Sequence, residues 1–74
     1  MEELRNTIEA MEDQKRFINE HIDDLDDMIN QGYVKAEFTT DYQNEIRECN
    51  QTIREINQKE ATLKEALRIL EEEN

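Results

Sequence analysis

The sequence predicts an all-α fold, an antiparallel two-helix coiled-coil hairpin. Three observations lead there: two phased hydrophobic repeats, one glycine between them, and a register in which they match in opposite directions. The first repeat is Leu4, Ile8, Met11, Lys15, Ile18, Ile22, Leu25, Ile29; the second is Tyr42, Ile46, Cys49, Ile53, Ile56, Glu60, Leu63, Leu67, Leu70. Spacings of three and four residues place such a series along one side of a helix, the seam of a coiled coil. Folding the chain back at Gly32 pairs residues whose numbers add to 71, so that Ile29 meets Tyr42, Ile22 meets Cys49 and Leu4 meets Leu67. Every layer then joins an a position to a d position, as antiparallel pairing requires.

Each segment can be justified in turn. Residues 1–31 form the first helix, running from about Glu2 to Asn30 or Gln31, with Glu2 and Glu3 where acids favour the positive helix end. It stops at Gly32, the residue type that most readily takes the left-handed conformation past a helix C-terminus. Residues 32–35 form the turn, and residues 36–74 the second helix. Two starts are open to that helix. Thr40 and Gln43 have the spacing of a capping box, whereas a start near Lys35 brings Phe38, Tyr42 and Ile46 into one series and keeps the connection short. The earlier start is preferred. One continuous helix pairing with a second chain is the main competitor. It would have to absorb a three-residue slip in heptad phase at the point where the glycine stands.

Composition agrees with a rod rather than a globule. Of 74 residues, 35% are apolar and 39% charged, with one glycine and no proline to interrupt the helices. That is too lean for a compact core and suits a two-stranded coil. No membrane span, signal peptide or basic targeting segment is expected from these residues. Its one cysteine, Cys49, falls on a d position, where a thiol packs as a small apolar group; a reducing, cytoplasmic setting is the expectation. The net charge is −11. Such a surface repels phosphate, so direct nucleic-acid contact by this segment is not expected.

Chemistry-bearing residues are few. Lys15 and Glu60, the two charges in the seam, can reach each other diagonally between layers and are expected to act as a register pair; independent snorkelling to solvent is the alternative. His21 and Cys49 lie close across the interface, but no second His or Cys completes a zinc site, so no metal and no cofactor is expected. The run Asp23, Asp24, Leu25, Asp26, Asp27 lacks the spacing and glycine of a calcium loop and reads as a solvated face. No catalytic constellation is apparent, and a two-helix rod has no pocket that excludes water.

The turn is different. Tyr33, Val34, Phe38 and Tyr42 crowd it, with Met28 beside the seam. Ile29, Tyr42 and Phe38 are expected to close the last layer, leaving Tyr33 and Val34 most exposed. Met28, Tyr33, Val34, Phe38 and Tyr42 are therefore the candidate contact surface. Phe17, at an outward c position, is a candidate for a second contact partway down the rod.

The tip sequence Asp26-Asp27-Met28-Ile29-Asn30-Gln31-Gly32-Tyr33-Val34-Lys35-Ala36-Glu37-Phe38, followed by Tyr42 and Ile46, resembles the turn of the coiled-coil hairpin in large serine recombinases, the phage integrases. Gly32, Val34, Glu37 and Phe38 carry the match. The resemblance implies an insertion in the zinc-binding C-terminal domain of a DNA-cutting parent, whose serine nucleophile and DNA-reading surfaces would lie outside this chain. It further implies a partner that is another copy of the same tip, held by a weak, tether-dependent contact that controls synapsis and directionality of recombination. A structural spacer or assembly hairpin unrelated to recombination is the alternative.

Overall fold

The computed structural model describes residues 2–73. It consists of α1 (Glu2–Asn30) and α2 (Ala36–Glu73), packed against each other as an antiparallel coiled-coil hairpin. The rod measures 57 × 15 × 14 Å. Its length is that of α2 alone, since 38 residues rise about 1.5 Å each.

Burial follows the heptad arithmetic. Ile8, Ile22 and Ile56 are the buried apolar residues, and the remaining seam residues from Leu4 to Leu67 are half-buried except Glu60, which is buried as well. A two-stranded seam is open on both flanks, so side chains that point at the partner still touch water at their edges. Leu70, assigned to the seam by its spacing, is 43% exposed. Its partner in the register is Met1, which lies outside the described residues.

Helix α1 ends in a double-bonded glycine cap. Gly32 adopts φ 76°; its N–H donates to the Ile29 carbonyl at 3.2 Å, and the Tyr33 N–H donates to the Met28 carbonyl at 3.0 Å. These two bonds are the 5→2 and 6→1 pair of a Schellman motif, and they satisfy carbonyls that the helix end would leave orphaned. Helix α2 begins at Ala36, four residues ahead of Thr40. Its first turn is tightened by the Phe38 N–H donating to the Lys35 carbonyl at 2.9 Å.

The early start fixes which face each tip residue occupies. Thr39 takes the a position one heptad before Ile46 and is half-buried; Phe38 falls on the flank and is 47% exposed. Val34 is half-buried. Ile29 and Tyr42 are half-buried and Tyr33 exposed, in line with the expected division, but Val34 and Phe38 exchange places: Val34 is the half-buried one and Phe38 the exposed one. The heptad phase of α2 puts Phe38 on the flank and Thr39 on the seam, whereas Val34 precedes the helix and is half-buried in the turn.

Candidate functional site

At the tip, the Schellman turn sends the chain back across the end of α1 and presents apolar groups around it. Tyr33 is 77% exposed and Met28 43%. Tyr33, Val34, Lys35, Phe38 and Tyr42 together line a shallow concavity of about 390 Å³. Met28 and Phe38 occupy matching flank positions on the two helices, so the antiparallel register places them on the same side of the rod. Two helices cannot bury these groups, because each has only one neighbour. The result is an apolar, partly aromatic end on an otherwise acidic rod.

Midway down the seam, Lys15 Nζ lies 3.1 Å from Glu60 Oε2 and 2.9 Å from Asn57 Oδ1. The Glu60 residue is 4% exposed and its Oε1 has no hydrogen-bond partner, although Lys64 Nζ lies 3.7 Å from Oε2. A buried carboxylate served on one oxygen is a costly device. It is also position-specific, since a slip of one heptad would bring Lys15 toward Ile53 or Leu67 instead.

The flanks repeat this selectivity with exposed charges. Arg5 pairs with Glu71, and Lys64 with Glu12 at 3.7 Å, both at matching e positions of the two helices. A one-heptad slip would set Arg5 against Lys64, or Glu12 against Glu71. Each exposed pair contributes about 0.2–1 kcal/mol at most. Within α2, Arg68 bridges Glu65 and Glu72; its guanidinium holds the Glu65 carboxyl below the usual range.

On the opposite flank the structure assembles a cluster that sequence reasoning left incomplete. His21 Nε2 lies 3.9 Å from Glu45 Oε1, and the Cys49 thiol donates weakly to the same oxygen at 3.9 Å. The three potential ligand atoms lie within 4.8 Å of one another. Burial raises the Cys49 thiol above its ordinary value, and the neighbouring carboxylates of Glu45 and Glu48 push it the same way. Glu45 is not among the residues that the sequence singles out. The signal that would have found it is its i, i+4 spacing to Cys49 together with a flank position that matches His21.

Phe17 stands alone on the outer face, 72% exposed. The acidic run from Asp23 to Asp27 leaves its four aspartates exposed and only Leu25 half-buried. No helix among the described residues is long and apolar enough to cross a membrane. The chain matches no protein-family model, no curated protein and no solved structure.

Proposed function

We propose that the chain is a non-catalytic spacer whose tip recognises protein, with a second copy of the same tip as the partner. One observation carries the reading: Met28, Tyr33 and Phe38 are 43, 77 and 47% exposed around a turn whose cap requires only Gly32. Exposed aromatics beside an apolar shelf have the composition of a contact centre. A self-contact is favoured by charge, because the acidic shafts repel one another side by side while the tip carries little charge to oppose an end-on approach.

A contact between two tips this narrow falls well below the roughly 1,200 Å² of stable complexes. It would be weak in free solution and useful when the rods are tethered, where the effective concentration reaches about the millimolar range. The resemblance of the turn to the hairpins of large serine recombinases suggests such a tether: subunits of a DNA-bound integrase whose hairpin tips control synapsis and directionality. A rod only 15 × 14 Å in section supports the non-catalytic reading, since it has no interior from which water could be excluded.

The test compares wild type with Tyr33→Ala combined with Phe38→Ala. Concentration-dependent NMR shifts confined to residues 28–42 in the wild type, and lost in the variant at unchanged helicity, are the expected result. Concentration-independent spectra for the wild type up to millimolar chain, also when two hairpins are joined by a flexible linker, would leave the tip as a fold cap and the chain as a spacer.

A further inference from the structure

We propose that His21, Glu45 and Cys49 form a zinc-binding clip that ties α1 to α2 along one flank of the rod. The three side chains offer an imidazole nitrogen, a carboxylate oxygen and a thiol sulfur, the donor types that a borderline-soft divalent cation prefers. They come from two helices. Glu45 and Cys49 are one turn apart on α2 and so share a face, while His21 reaches them from α1.

The distances suit one ion. Around a tetrahedral zinc, with bonds near 2.0 Å to nitrogen and oxygen and 2.3 Å to sulfur, ligand atoms stand about 3.3–3.6 Å apart. Here Glu45 Oε1 is 3.9 Å from both His21 Nε2 and Cys49 Sγ, with all three within 4.8 Å. Closing the set requires side-chain rotations that bring the ligand atoms together by about 0.4–1.3 Å. His21 and Glu45 are exposed and free to make them, and Cys49 is half-buried on the seam side. Water would complete the fourth position. On binding, the thiol releases its proton to solvent and the imidazole coordinates in its neutral form. The surrounding charge of −11 favours cation approach.

The clip is separate from the tip: the variants that test one leave the other untouched. The probes are zinc for stability and cobalt(II) for spectroscopy, added to the reduced, metal-free chain. Expected are a thiolate-to-cobalt charge-transfer band, one metal per monomeric chain, and a zinc-dependent rise in Tm of about 5 °C or more near saturation. Cys49→Ser, Glu45→Gln and His21→Gln should each keep the metal-free helicity. Cys49→Ser should lose the band, and all three should lose most of the Tm rise. Three outcomes would overturn the clip: no band and no Tm rise at excess metal; a Tm rise that survives all three substitutions, which would move the ion to the aspartate run; or one metal shared by two chains.

Discussion

Lys15 and Glu60 are the residues where stability and specificity pull apart. Replacing Lys15 with Met strands a carboxylate that already has one unpartnered oxygen, and should cost about 1–3 kcal/mol. Replacing both, Lys15→Met with Glu60→Leu, should recover that loss or exceed wild type in thermal melting. It should also allow slipped or intermolecular pairings, visible by sedimentation or by crosslinks at unintended positions. A double variant that keeps the single native register by both measurements would remove the register role. Cys49 offers a second residue-scale check. Its thiol ionises above the ordinary 9.0 because of burial and the nearby Glu45 and Glu48 carboxylates. The unfolded chain therefore ionises first as pH rises, so this contribution to stability is complete below about pH 9 and falls away above it. In chelator, the wild type should lose stability relative to Cys49→Ser as pH climbs past 9, and should react more slowly with iodoacetamide folded than unfolded.

At the scale of elements, the helices and their faces were legible because the 4-3 spacing is itself the cause of the packing. Ile8, Ile22 and Ile56 are buried because heptad phase points them at the partner, and no other interaction competes. The tip was less legible. Phe38 sits on the flank because α2 already runs through it in the heptad phase of Tyr42 and Ile46, whereas a start at Thr40 would have left Phe38 in the turn with Val34, where no helical period fixes a side chain's direction. The His21–Glu45–Cys49 cluster escaped for another reason. A glutamate on a flank looks like any other solvated charge until an antiparallel register places a histidine opposite. Gly32 makes the element-scale prediction. A Cβ there would meet no atom within 4 Å, so the whole cost of substitution comes from φ 76°. Gly32→Ala should lower stability by about 1 kcal/mol, and Gly32→Asn by less, since asparagine tolerates the left-handed region. Equal melting for glycine and alanine would mean that the cap does not stabilise the hairpin.

For the whole molecule, net charge outweighs the individual ion pairs. Two strongly acidic helices lie side by side over most of a 57 Å rod, against two exposed interhelical pairs at the e positions, Arg5 with Glu71 and Lys64 with Glu12. Screening should remove more repulsion than attraction. Raising sodium chloride from about 10 to 500 mM is therefore expected to increase Tm; a decrease would show that the flank pairs dominate.

The Arg5–Glu71 pair sets the two open ends of the hairpin side by side at the base, with the turn at the far end. Under tension applied through those ends, the rod is loaded like a zipper rather than a tow rope. Each layer bears the force alone, Leu4 with Leu67 first, then Ile8 with Leu63, up to the Lys15–Glu60 step and beyond. Opening should proceed layer by layer at low force, with a pause where the buried charge must be separated, and the tip should be the last part to come apart. Pulling between the base of α1 and the turn would instead stretch α1 along its own axis and leave the seam without an opening force. A contact made at the tip would thus survive partial fraying of the shaft that carries it, which an optical trap with handles at residues 5 and 71 can record.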